Sequence, residues 1–260
     1  MLVRCRIAAL LWLILPARLA GQSVADHVDM GAAALHAHDL RTGLAHFEAA
    51  LALDSTDYAA NWRAAVALLD QGELIPDSLA GAERDSIFAR AETLAYRAVA
   101  ADSLKPEGHF ALAATVGRAS LGMGKKERIR RARIIRDEAL RTIELDSTYD
   151  GAYHVLGRWN AEIMRLSGLS RFFARSFLGA GIFRQASWEQ AIANLQKAVE
   201  LDPARIYHRL ELARIYADRK RYQEARDQLA QIEALPDREL LDPVYRERAA
   251  ALAKRIGDKT

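Results

Sequence analysis

One pattern returns four times along the chain: an amphipathic stretch closes on an aspartate, and a second such stretch opens just after it. The copies read EAALALDSTDYAANW, YRAVAADSLKPEGHF, EALRTIELDSTYDGAYHVLGRW and QKAVELDPARIYHRLELARIY, with the shared aspartate at Asp54, Asp102, Asp146 and Asp202. Each copy joins the end of one helix to the start of the next, and a chain built from such joints stacks helix pairs along one dimension. A core that grows by stacking need not split into globules as the chain lengthens, so the 260 residues read as one elongated array. Ala, Leu, Arg and Glu dominate, and no alternating Val, Ile and Thr run bounded by Gly or Asn marks a strand. The fold class is therefore all-α.

The joints fit the tetratricopeptide pattern, which sets aromatics and a Leu-Gly pair on the first helix, small residues where helices touch, and Pro near the closing turn. Residues 150–205 fit best: Tyr153, Leu156 and Gly157 stand on the first helix, with Asn160 where the second aromatic belongs. Ala191, Leu195 and Ala198 follow on the second, before Asp202-Pro203. Residues 206–239 repeat this with Leu212, Ala213 and Tyr216, a turn at Arg219 to Arg221, then Ala225 and Leu229. Residues 24–57 do so with Gly31, Ala34, Gly43, Phe47 and Ala50. Ser55, Ser103 and Ser147 replace Pro at three turns, and Asp and Ser both cap helices and build side-chain turns. The expectation is a single tetratricopeptide-type helix-pair solenoid at 22–260. It has about five repeats, at 24–57, 58–105, 106–149, 150–205 and 206–239, and a polar capping helix at 241–257.

The middle repeats are stretched. From the small residue of the first helix to that of the second the pattern asks for about 12 residues, yet Ala65 to Ala91 spans 26, Ala113 to Ile135 spans 22 and Gly157 to Ala191 spans 34. Insertions at equivalent turns leave a solenoid along one edge, so these three are expected to form a shared lip.

The N-terminus differs from the rest. Arg4 and Arg6 precede an apolar run from Ile7 to Leu15, then Pro16 and small residues around Ala20 and Gly21, the order of a secretory signal peptide at 1–21. The run is too short to span a bilayer as a helix. Arg18 is unfavourable near a cut at Ala20, which leaves an uncleaved inner-membrane anchor as the alternative to a periplasmic or secreted protein. The chain carries 37 basic and 34 acidic residues, and removing Arg4, Arg6 and Arg18 leaves 34 of each. A neutral domain argues against a general nucleic-acid binder. Cys5 lies in the leader, so the remainder has no thiol for a disulfide or a thiolate metal site.

From about Lys125 onward the chain resembles the regulator of microtubule dynamics family in its C-terminal tetratricopeptide domain. The residues that carry the likeness are KKERIRRARIIRDEALRTIELDSTYDGAYHVLGRWNAEI, WEQAIANLQKAVELDP and YHRLELARIYADRKRYQEARDQLAQIEALP, with HVLGRW at His154 to Trp159 as the most diagnostic piece. The resemblance implies a groove that binds a protein partner or a lipid, contact with membranes, and no catalytic residues. It also implies association with microtubules, which a secretory leader argues against.

Four groups of residues stand as candidates. Within the superhelix, ligands meet the first helix of each pair, which points to His154, Arg158, Asn160 and Arg214 as groove residues; Arg158 can take a carboxylate or phosphate in a two-pronged contact or pair with a neighbouring acid. The insertion 163–186 holds Phe172, Phe173, Phe177 and Phe183 with Arg175 among them. It reads either as an amphipathic cover for a lipid or an anionic membrane surface, or as side chains packed on the solenoid. Arg128, Arg131 and Arg136 share one helix side, as a basic patch or as a solvated helix start. His36 and His38 point apart on a helix and cannot chelate one metal. No HExxH, Walker or GxSxG motif occurs. The expectation is a non-catalytic module with no cofactor or metal, holding a protein or peptide, or alternatively a lipid or fatty ligand, and no nucleic acid.

Overall fold

The computed structural model describes residues 22–79, 81–166, 185–257 and 259. Among them run eleven α-helices and no strand: α1 (Val24–His36), α2 (Leu40–Leu53), α3 (Tyr58–Leu74), α4 (Ala82–Ala101), α5 (Pro106–Leu121), α6 (Lys125–Leu145), α7 (Asp150–Arg165), α8 (Trp188–Leu201), α9 (Ile206–Asp218), α10 (Tyr222–Ala234) and α11 (Asp242–Ile256). The starts follow from sequence. Ser23 and Asp26 close a reciprocal capping box on α1; Asp39, Asp57 and Ser187 cap α2, α3 and α8; Pro106 opens α5. Helices α1, α3, α5, α7 and α9 lead their pairs, and each packs on the helix that follows it.

The four aspartate joints share one geometry. Each aspartate ends its helix in extended backbone and turns its Oδ1 onto the backbone two residues on, accepting from the N–H of Thr56 (2.8 Å), Leu104 (3.0 Å), Thr148 (2.8 Å) and Ala204 (3.2 Å). The next residue offers its carbonyl to a side chain six positions further, at the fourth place of the leading helix: Asn61 to Ser55, His109 to Ser103, Tyr153 to Ser147 and Arg209 to Pro203, all at 3.0–3.1 Å. This corrects the expected role of serine, whose hydroxyl caps nothing here. Only the main-chain carbonyl is used, which is why serine and proline interchange.

Glycines mark where helices meet. A Cβ on Gly157 would stand 2.6 Å from Leu195 Cγ, one on Gly31 2.5 Å from the Phe47 ring, and one on Gly72 2.2 Å from the Phe88 ring. Phe47 and Leu195 are fully buried at those contacts.

The first two insertions do not loop out, contrary to expectation. Helices α3 and α4 exceed α1 and α2 by four and six residues, and α5 and α6 exceed them by three and seven. Residues 71–74 and 119–121 continue the helices without a proline, so most of the extra length is taken up as additional turns. A one-turn 3₁₀ segment, Asp77–Leu79, bridges α3 to α4. The third insertion, with the expected phenylalanines, lies almost wholly outside the described residues.

The rod of helices bends round until its ends touch. Arg248 of α11 pairs with Glu73 of α3 at 3.1 Å, Arg118 of α5 holds the other carboxylate oxygen at 2.5 Å, and a ring nitrogen of His38 lies 3.1 Å from the carbonyl of Arg238. Glu73 is only 7% exposed at this clasp. The added turn of α3 carries Glu73, while Arg118 stands in α5 at the place that His36 holds in α1, so the extension of α3 supplies the acid of this closure.

Candidate functional site

The curled superhelix forms a cavity of about 760 Å³. Its walls are the inner stripes of the leading helices, one side of α6 and the residues 238–241 that lead into α11. The stripe has a register. His36, Asp70, Arg118 and Glu162 hold the same thirteenth place in α1, α3, α5 and α7, and Ala32, Val66, Ala114 and Arg158 hold the ninth. Positions four apart stay on one helix face, so each rung is set by local geometry alone. Helix α9 meets the cavity with its first turn instead, through Tyr207 and His208.

Part of the lining is apolar: Leu35, Val66, Leu69, Phe110, Val155 and Trp159. The polar part is knitted together. Asp150 accepts from Arg205 and from His208 Nε2, each at 2.7 Å; burial alone would raise its carboxyl, yet these two partners hold it below the usual range. His208 Nδ1 lies 2.9 Å from His154 Nδ1. Because His208 gives its Nε2 proton to Asp150, its Nδ1 accepts, and His154 donates from Nδ1. Burial lowers both imidazoles, which keeps them neutral, and His154 Nε2 is left buried with no hydrogen-bond partner. Tyr207 packs between His154 (4.2 Å between centroids) and Tyr245 (4.3 Å, stacked) and accepts from Arg158. Glu211 sits behind Arg158 at 3.8 Å; burial raises its carboxyl, but Arg158, Arg214 and Arg165 together bring it below its ordinary value.

The sequence candidates separate. His154 and Arg158 line the cavity. Asn160 does not: its amide donates to the Leu156 carbonyl (2.8 Å) and its oxygen accepts from Ser187 N (3.3 Å), tying α7 to the start of α8. Arg214 holds the same ninth place in α9 that Arg158 holds in α7, yet it turns onto Glu211 within its own helix and lines nothing. Arg128, Arg131 and Arg136 make no common patch. Arg128 pairs with Glu162 of α7 (3.3 Å), Arg131 with Glu92 of α4, and Arg136 with Asp137 and Gln185. Trp159 is a packing residue whose indole donates to the Ala132 carbonyl at 2.7 Å. Phe172, Phe173, Arg175, Phe177 and Phe183 lie outside the described residues, as does the leader-like segment 1–21. Asp70, Glu73, Tyr207, His208 and Tyr245 were not anticipated; the four-residue stride of Val66 and Asp70 along α3, matched in α5 and α7, is the signal that would have found the first.

Stacked helix pairs joined by aspartate turns and lined on the inside by their leading helices define a tetratricopeptide-repeat solenoid. Residues 32–257 match the family described as Regulator of microtubule dynamics protein 1-3, and the chain belongs to that family. None of the curated proteins matches it. Among solved structures it is similar to TTC0263, a thermophilic TPR protein of Thermus thermophilus (18% identity, TM-score 0.59, covering 89% of this chain and 100% of that one). It is also similar to pilF of Pseudomonas aeruginosa (14% identity, TM-score 0.52, covering 90% of each chain). At these identities the likeness is one of fold. Among the described residues no cluster of three metal-ligating side chains occurs and no helix is long and apolar enough to cross a membrane.

Proposed function

We propose that this protein is a non-catalytic scaffold that holds a short protein or peptide segment in its cavity. The observation that carries this reading is Gly117. It lies inside α5 on the cavity wall, and a Cβ built on it would meet nothing within 4 Å. Glycine inside a helix costs roughly 1 kcal/mol relative to alanine, and no neighbouring helix needs the space here. Gly31, Gly72 and Gly157 are kept by a close-packed partner; Gly117 is kept by a void. A local rule broken without a packing reason points to use. The cavity volume of about 760 Å³ falls within the usual range for ligand sites, and a lining of mixed apolar and polar residues suits a chain with side chains of both kinds.

The test is a library of random dodecapeptides selected on the wild type and on Gly117→Trp. Peptides that bind the first and not the second, with both proteins equally helical, support the reading. Equal recovery on both would place binding elsewhere and refute it. The apolar part of the lining favours one second reading, a lipid or fatty ligand with 163–186 as its cover, and native mass spectrometry of detergent-free protein tests it: co-purified lipid lost in Gly117→Trp supports the lipid over the peptide. The compartment we propose, the bacterial envelope, rests on the leader-like pattern of residues 1–21, and cell fractionation of the tagged full chain checks it.

A further inference from the structure

We infer that the ligand of this cavity presents a cationic amine, which Asp70 receives. The inference rests on the cavity reading above and adds the chemistry of what enters. Each arginine on the wall is already committed: Arg118 to Glu73 (2.5 Å), Arg128 to Glu162 (3.3 Å), Arg205 to Asp150 (2.7 Å) and Glu239 (3.0 Å), and Arg238 to Asp202 (3.1 Å). Arg158 donates to Tyr207 and has Glu211 at 3.8 Å. An anion entering would meet repulsion from the carboxylate already seated at each paired guanidinium. Three of the four wall carboxylates are engaged in the same pairs. Asp70 alone has no hydrogen bond or ion pair among the described residues.

Asp70 lies deep in the protein and keeps part of its surface accessible, and that surface belongs to the cavity wall. The charged groups around it are Glu73 one turn along α3, Glu239 from the segment before α11, and Arg205 from the joint before α9. Two acids and one engaged arginine leave a site short of positive charge, and burial together with these acids raises the Asp70 carboxyl to about 7. A second, independent observation agrees. His154 is 5% exposed, lines the same cavity, and leaves Nε2 without a partner. The Asp150–His208–His154 chain assigns that nitrogen a lone pair, so Asp70 and His154 are both acceptors; the one unpartnered buried donor on the described wall, Arg118 Nε, belongs to a guanidinium already held by Glu73. A donor-rich cation such as an ammonium suits Asp70, and a carboxylate or phosphate does not.

The experiment is calorimetric titration of the full chain at about pH 8, where Asp70 is ionised, with hexylamine, hexan-1-ol and hexanoate as probes of one chain length. Hexylammonium is expected to bind at least about tenfold tighter than the other two, since a charge-assisted hydrogen bond is worth about tenfold to a hundredfold in affinity. Asp70→Asn should erase that preference with an unchanged circular dichroism spectrum, which reports that the variant is folded; Asp70→Glu should retain it. A preference for hexanoate, no binding of any amine, or an unchanged preference in Asp70→Asn overturns the inference. A peptide carrying one lysine and an acetylated N-terminus, its unacetylated form, and spermidine then separate a polypeptide source of the amine from a free polyamine. The two readings fail separately. Library peptides that need Gly117 but show no amine enrichment sink the cation and spare the peptide site; amine binding with an empty library does the reverse.

Discussion

Replacing Asp70 with asparagine should make this protein more stable, and only above a defined pH. Burial is the largest cause raising the Asp70 carboxyl, Glu239 and Glu73 add to it, and Arg205 offsets part, leaving a value of about 7 against 3.8 in the unfolded chain. A carboxyl that holds its proton more tightly when folded favours folding in full below 3.8. That contribution drains away as the pH climbs to 7, and the ionised group is a net liability beyond it. The interval corresponds to at most about 4 kcal/mol. The carboxylate faces a water-accessible cavity, so solvation by that water reduces the figure to about 1–3 kcal/mol. Asparagine has nearly the same shape and cannot ionise. Urea unfolding followed by circular dichroism at about pH 8.5 should therefore show the variant ahead by about 1–3 kcal/mol, equivalent to several degrees in Tm for a chain of this size. At about pH 4 the two proteins should nearly coincide, because carboxylates common to both cancel in the difference. An Asn variant that is less stable at pH 8.5, or one whose advantage is the same at both pH values, would falsify the account of Asp70 as a charge held against its preference.

Glu73→Gln should lose about 2–4 kcal/mol, because it leaves Arg118 and Arg248 facing each other without their shared carboxylate; thermal unfolding checks it, and an unchanged Tm would show that the clasp contributes nothing. Gly117→Ala should gain about 0.5–1 kcal/mol, the ordinary effect of removing a helix-interior glycine where nothing crowds the new methyl; destabilisation in chemical denaturation would mean that the void is not there. Leu195→Ala should lose about 2–5 kcal/mol, since Leu195 is fully buried against Gly157 and Ala191; a loss below about 1 kcal/mol would argue against tight packing of α7 on α8. Asp146→Ala removes two acceptor contacts to Thr148, at 2.8 and 2.6 Å, in an exposed joint and should cost about 1 kcal/mol. Faster amide exchange confined to residues 146–150 is the expected signature, and uniform exchange would contradict it.

The helical hairpins were legible because the aspartate joint is a local device: one carboxylate reaching two residues along is written in four or five letters, and glycine or alanine at a contact needs only the facing side chain to explain it. Stretched spacings were visible too, but spacing alone does not say whether added residues loop out or extend a helix, and at residues 71–74 and 119–121 they extend. The cavity was harder to read for a different reason. Arg158 and Arg214 occupy the same place on successive leading helices, yet the first faces the hollow and the second an acid in its own turn. That distinction arises only when the superhelix curls and α9 arrives with its first turn foremost. Asp70 is likewise one acid among many until Glu239, far along the chain, is brought against it.

A solenoid with free ends can gain or shed a repeat and remain a solenoid; this one has a latch between residues 73 and 248. The number of hairpins is thereby fixed, since one more would carry Arg248 past its acceptor and one fewer would leave it short. Unfolding is also pushed away from fraying one unit at a time and towards a single concerted event. The same latch joins the two ends of the cavity wall, so strain at either end of the chain reaches the lining of the hollow.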